Sequence, residues 1–406
     1  MKIPFKTADI LIPQEKNLEK WIVVACDQYT SEPAYWERVA NNVGEAPSSF
    51  KMIFPEIYLE NDGKEERIKN INDSMASYLD GDVFNKYGNA LIYVKRTVNS
   101  GKIRKGIIGA VDLEAYNYNK GSKSLIRATE GTVLERIPPR VQVRINAPAE
   151  MPHIMLLIDD YKKTVIESID ETKLKKVYDF NLMENGGHIE GYLIENPEEI
   201  MAALTSLADG LDPENPLLFA VGDGNHSLAT AKECWERKKQ NLSDSEKETH
   251  PARYALTEIV NIHDEALEFE PIHRIVFDVD SEKLLKEFSE YYEISETEGI
   301  QKVVCVLNGE NKDLYIKNPK SNLTVGSLQI FLDEYIKKNG GKIDYIHGEN
   351  VVSDLSAKEN SIGFLLPAMD KSDLFKTVIL DGALPRKTFS MGEANEKRFY
   401  LEVRAI

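Results

Sequence analysis

The run PLLFAVGDGNHSLATAKECWE, Pro216–Glu236, changes its period in the middle. Leu217–Val221 is a continuous apolar run short enough for a buried strand. From Ser227 onward the apolar residues Leu228, Ala231 and Trp235 recur at helical spacing. Between them stand two glycines, an aspartate, an asparagine and a histidine. A chain containing this joint must place a strand end directly before a helix start, and that arrangement belongs to α/β architectures. The helix is expected over Ser227–Lys239, with Ser227 as its cap.

The rest of the chain repeats the alternation. WIVVAC (Trp21–Cys26), RVQVRI (Arg140–Ile145), HIMLLID (His153–Asp159) and TVIL (Thr377–Leu380) read as strands. The segment DETKLKKVYDF (Asp170–Phe180) reads as helix-like. NPEEIMAALTSLA reads as a helix capped by Asn196. ALIYVKRTVNSGKIRKGIIGAVDL reads as a hairpin turning at Asn99-Ser100-Gly101. The fold class is therefore α/β in mixed α+β order. At 406 residues the chain is too long for one ordinary core. The expected division is an N-terminal α/β region, 1–265, and a C-terminal α/β region, 266–406.

The loop chemistry favours an anion. A strand ending in Gly222-Asp223-Gly224 and feeding a helix offers free N–H groups and the positive end of the helix dipole. Gly222 and Gly224 permit close approach of a ligand to the backbone. Asp223 has the wrong sign for phosphate but suits Mg²⁺, which joins carboxylate to phosphate oxygens. His226 is a candidate for proton transfer or for donation to phosphate. Turn chemistry alone also accounts for the motif. Neither a Walker loop nor GxGxxG is present.

Charge supplies a second candidate. The chain carries a formal net charge of −17. Lys120–Arg144 reverses it locally, with six basic residues (Lys120, Lys123, Arg127, Arg136, Arg140, Arg144) against Glu130 and Glu135. A basic patch in an acidic protein suits a small phosphorylated ligand better than a nucleic acid or an anionic membrane. Pairing with surface carboxylates is the alternative use of these arginines. Weaker candidates are His273 and Arg274 in PIHRIV, the loop of Arg386, Lys387, Thr388 and Ser390, and Asp27 at the end of WIVVAC, facing a ligand. Three scattered cysteines and the absence of a signal-like N-terminus or long apolar run lead to the expectation of a cytoplasmic protein.

DGNHSLATA, TEGT (Thr129–Thr132), EPIHRIV (Glu270–Val276) and PRKTFSMG (Pro385–Gly392), in that order, resemble the bacterial and archaeal family called domain of unknown function ten-fifteen. The family has no settled activity. Many relatives read Asp-Gly-His-His-Arg where this chain has Asp223, Gly224, Asn225, His226 and Ser227, so the phosphate-gripping arginine is replaced by serine. A His-Glu pair of the family falls on Thr129 and Glu130. The motif is in turn similar to the ParB/sulfiredoxin-like fold, which includes free-serine kinases. That similarity implies a ParB/sulfiredoxin-like core with large extensions.

It also implies phosphoryl transfer from ADP or ATP with Mg²⁺ on Asp223 to a small hydroxy metabolite such as serine. Glu130, Asp223 and His226 would be catalytic. Gly222, Gly224, Asn225, Ser227, Arg127, Arg136, Arg140, His273, Arg274 and Arg386 would bind nucleotide phosphates. The alternative is a non-catalytic nucleotide- or metabolite-binding regulatory module. A homodimer is compatible with either.

Overall fold

Long strands with both faces apolar organise the first part of the chain. In Ile103–Asp112, Ile107 and Val111 enter one core while the alternate residues Ile108 and Ala110 enter another. Leu91 and Tyr93 alternate with Ile92 and Val94 in the same way along Phe84–Thr97. Period-two burial on both sides requires a sheet covered above and below. The computed structural model describes residues 1–59, 61–132 and 137–406. They divide into two compact units, Met1–Leu267 with Gly392–Ile406, and Glu268–Met391.

The first unit holds an eleven-stranded mixed sheet. Its order is Tyr116–Asn117, Ile126–Ala128, Phe219–Asp223, Met155–Ile158, Tyr254–Asn261, Ile103–Asp112, Phe84–Thr97, His188–Ile194 and Lys175–Asn181. Phe5–Lys6 and Ala8–Pro13 add to it through Ile103–Asp112 and Phe84–Thr97. One face is covered by the helices Glu198–Asp209 and Asn225–Lys238, which bury Leu204, Leu228 and Trp235. The other takes Ile71 and Met75 of the helix Lys64–Asp80. Each such buried side chain contributes about 1.5–3 kcal/mol.

The C-terminal segment Gly392–Ile406 belongs to this unit and not to the region begun at 266. Its Arg404–Ala405 pairs with Ala149–Glu150, and Val403 and Arg398 bridge Leu11 and Val24.

The second unit is an antiparallel sheet of six strands, ordered Ile294–Ser295, Glu310–Ile316, Gln301–Leu307, Ser361–Leu365, His273–Phe277 and Lys342–Ile346. Helices Ser281–Tyr292 and Thr324–Asn339 cover it, with Phe288 against Phe331 at 4.9 Å and Phe364 at 6.2 Å. Among the described residues no helix is long and apolar enough to cross a membrane.

Several local expectations change. RVQVRI lies largely in the helix Ile137–Arg144, because Pro138-Pro139 suit a first helical turn and Ile137 and Val141, four apart, bury together. DETKLKKVYDF instead ends in the strand Lys175–Asn181, where Tyr178 and Phe180 alternate with polar neighbours. TVIL belongs to the helix Ser372–Asp381, which buries Leu374, Phe375 and Val378. Trp21–Ala25 is buried but bridges only at Val24, opposite Arg398. The helix Glu198–Asp209 is capped by Pro197, not Asn196.

Candidate functional site

Two parallel strands end side by side at the site. Ile126–Ala128 pairs in parallel with Phe219–Asp223, Val221 standing opposite Ala128. The residues that follow, Thr129-Glu130 and Gly222-Asp223, therefore emerge at the same edge, on strands separated by about 4.8 Å. The loops are bonded to each other. Thr129 Oγ1 donates to the Val221 carbonyl at 2.6 Å, and the Thr129 N–H donates to Asn225 Oδ1 at 3.3 Å. The helices beyond them also pack together, Ile137 and Val141 against Ala229 and Cys234. The TEGT and DGNH motifs thus form one structural locus.

Gly224 fixes the shape of that locus. Its φ of +79° lies in the left-handed region, and a Cβ there would strike the His153 carbonyl oxygen. Gly222 instead lies within the strand. The helix runs Asn225–Lys238 with Gly224 as its cap, so Ser227 belongs to the first turn and is not the cap. Among the described residues no side chain caps this helix start. Asn225 Oδ1 is turned back to Thr129, and His226 and Ser227 are half-buried in the first turn. The first backbone N–H groups of a helix have no intrahelical acceptor, and the positive end of the dipole lies with them.

Asp223 is aimed by an irregularity. The pairing of Phe219–Asp223 with Met155–Ile158 shifts register between Val221 and Asp223, which redirects the last side chain. Its Oδ1 accepts the Gly224 N–H at 2.8 Å, and Oδ2 lies 3.8 Å from His153 Nε2. The His153 ring is held by Nδ1 against the Arg398 carbonyl at 3.3 Å. Asp27 lies close enough to His153 to feel its charge. Burial works to raise the Asp27 carboxyl, but His153, Gln28 and Lys397 outweigh it and hold it below the usual carboxylate range.

His153, Lys397 and Arg398 were not singled out in the sequence. They reach the locus through non-local pairings, Ala25 N–H to Lys397 carbonyl at 2.7 Å and Tyr400 N–H to Pro152 carbonyl at 3.0 Å.

The basic stretch is largely engaged elsewhere. Arg127 is buried and donates to the Ser124 and Pro216 carbonyls and to Asn215 Oδ1. Arg140 pairs with Glu56 and Arg144 with Glu150. Arg136 lies outside the described residues.

His273, Arg274 and Arg386 belong to the second unit. Arg274 is fully buried and donates to the carbonyls of Ile272, Arg386 and Lys387 and to Gln329. Burial, chiefly, pushes its guanidinium down to about 10. His273 Nδ1 accepts the Leu366 N–H at 3.1 Å, and Arg386 pairs with Asp333. These three hold the PRKTF loop and the end of the strand Ser361–Leu365 within their own unit.

Residues 3–335 match the sequence model of the family described as "Protein of unknown function (DUF1015)". The chain belongs to this family. No curated protein matches it. Among solved structures it is similar to a free serine kinase mutant in complex with ADP, at 11% identity and a TM-score of 0.39, over 73% of this chain and 90% of that one. It is also similar to a conserved hypothetical protein from Pyrococcus furiosus (12%, 0.36, 70% and 90%). A third is SbnI with a C-terminal truncation from Staphylococcus aureus (7%, 0.36, 70% and 82%).

Proposed function

We propose that this member of the family is a phosphoryl-transfer enzyme that uses ADP or ATP to phosphorylate a small hydroxy metabolite, serine being the first to test. The observation that carries the reading is the parallel pairing of Ile126–Ala128 with Phe219–Asp223, which sets Glu130 and Asp223 at adjacent strand ends beside a helix N-terminus. Phosphate oxygens would lie against the N–H groups of Asn225, His226 and Ser227. Asp223 is suited to Mg²⁺: Mg²⁺ needs one or two carboxylates together with phosphate and water, and Asp223 Oδ2 lies 3.8 Å from His153 Nε2, beyond hydrogen-bond distance. The ion would neutralise charge on the transferring group.

Glu130 would take the proton as the acceptor hydroxyl oxygen bonds to phosphorus. The bond from that phosphorus to the nucleotide then breaks, and the shortened nucleotide leaves with the electron pair. Positioning at near contact supplies much of the acceleration in such reactions.

One observation favours a second reading. Arg127, Arg140 and Arg144 are engaged with carbonyls and carboxylates, so these three side chains are not directed at a transferring group. A nucleotide-binding regulatory module needs no such charge. The two readings separate in one assay, phosphate transfer from ADP or ATP to free serine and other hydroxy amino acids by wild type, Glu130→Gln and Asp223→Asn. Turnover that falls in both variants supports the enzyme. Saturable nucleotide binding with no turnover supports the module. Equal turnover in all three proteins removes both residues from their roles.

A further inference from the structure

A second charged locus lies inside the first unit, beneath the C-terminal segment. Arg96 and Arg104 stand directly opposite each other in the antiparallel pairing of Phe84–Thr97 with Ile103–Asp112. Both are more than nine-tenths buried, at 4% and 8% exposure. Like charges opposed across strands repel, and buried guanidinium groups are costly unless paired. Here the pairing is incomplete. Arg104 holds Glu258 Oε2 at 2.9 Å, while its Nε, and likewise Glu258 Oε1, have no hydrogen-bond partner among the described residues. Arg96 makes one long bond to the Gly186 carbonyl at 3.5 Å, and its Nε also lacks a partner.

The neighbours leave both Nε donors open. Arg398, fully buried beside Gly186, is spent on the carbonyls of Ile22, Glu184 and Asn395. Asp264 and Glu396, which act on Arg104 at longer range, accept backbone N–H groups of Lys105, Ala266, Asn99 and Glu393. Tyr400 leans on Glu258. Burial, with Arg104 and Arg398 nearby, pushes the Arg96 guanidinium down to about 9, still charged at neutral pH.

The chain also makes room for these charges. A Cβ at Gly106 would strike the Glu258 carboxylate, and one at Gly186 would strike the Arg398 guanidinium.

We infer that Arg96 and Arg104 form a buried oxyanion site, which takes a small carboxylate or phosphate group against their unpartnered N–H donors. An oxyanion would accept from donors on both residues and bridge two guanidiniums in the geometry they favour. The site stands independently of the phosphoryl-transfer reading, since neither Arg96 nor Arg104 belongs to the Asp223 locus.

The test is thermal unfolding of the full chain in potassium phosphate and, separately, potassium acetate, with chloride holding the ionic strength constant. The expected result is a saturable rise in Tm with at least one of the two anions, on the order of 5 °C at a hundredfold excess over Kd. The rise shrinks in Arg96→Lys and disappears in Arg96→Met. If Arg96→Met does not fold, the Arg96→Lys comparison decides alone. The anion that acts identifies the group recognised. No rise with either anion overturns the inference. So does a rise that persists unchanged in the variants, because the anion then sits elsewhere, such as Gly224–Ser227.

Discussion

Replacing Gly224 by alanine tests the geometry of the joint most sharply. The left-handed conformation at φ +79° costs an L-residue about 1–2 kcal/mol. The new Cβ would also collide with the His153 carbonyl oxygen and come within 2.9 Å of Ile154 Cα. Both obstacles are backbone, so no side-chain rotation relieves them, and a forced shift of this kind adds about 1–3 kcal/mol. The total is about 3 kcal/mol out of a typical 5–15 kcal/mol.

Urea unfolding followed by tryptophan fluorescence reads this unit alone, because Trp21, Trp36 and Trp235 all lie in it. Gly224→Asn separates the two terms: asparagine tolerates the left-handed region but keeps the collision, so its loss is smaller by about 1 kcal/mol. Stability of Gly224→Ala within about 0.5 kcal/mol of wild type would refute the reasoning, since that is the range of an ordinary surface substitution.

Other perturbations follow from buried charge. Arg274→Met leaves three carbonyls without their donor and should destabilise the second unit by about 3 kcal/mol, seen in urea unfolding by circular dichroism, while ADP affinity stays unchanged. An affinity loss without a stability loss would give Arg274 a ligand instead. Burial, followed by the nearby Glu258 charge, pushes the Glu402 carboxyl up from 4.5 to about 7, against a hydrogen bond from Tyr178. A raised carboxyl binds its proton more tightly folded than unfolded. Its contribution is therefore present below about pH 4.5 and lost as pH rises toward 7. Relative to Glu402→Gln, wild type should lose about 3 kcal/mol across that window in urea titrations, and parallel profiles would contradict this.

Arg127→Met should lower stability through its lost carbonyl contacts and leave the salt dependence of ADP binding unaltered. A shallower salt slope would return Arg127 to the ligand.

Local signals carried far in the sequence and non-local ones did not. The change of period at Val221–Ser227 showed a strand feeding a helix, and the structure has both. The helix starts before Ser227 because Gly224 accepts the cap position through its φ, which leaves Ser227 inside the first turn. RVQVRI misled because two valines at alternate positions look like a strand, although only Val141 is buried and Pro138-Pro139 open a helix. The meeting of TEGT with DGNH rests on a parallel strand pair, and parallel partners carry no turn signal between them. His153 and Arg398 were invisible for the same reason, one before an ordinary apolar strand and the other in a tail that returns across the sheet. The arginines of the basic stretch announced charge truthfully, but their partners Glu56 and Glu150 come from other elements.

The central claim is that the strand ends at Glu130 and Asp223, with the helix start at Asn225, form a single nucleotide-phosphate site. Calorimetric titration of ADP with Mg²⁺ into wild type, Asp223→Asn and Asn225→Ala addresses it directly. The account predicts saturable binding at that locus in wild type and at least about tenfold weaker binding in both variants, a loss of about 1.4 kcal/mol or more. Absence of binding in wild type, or equal affinity in all three proteins, would contradict it.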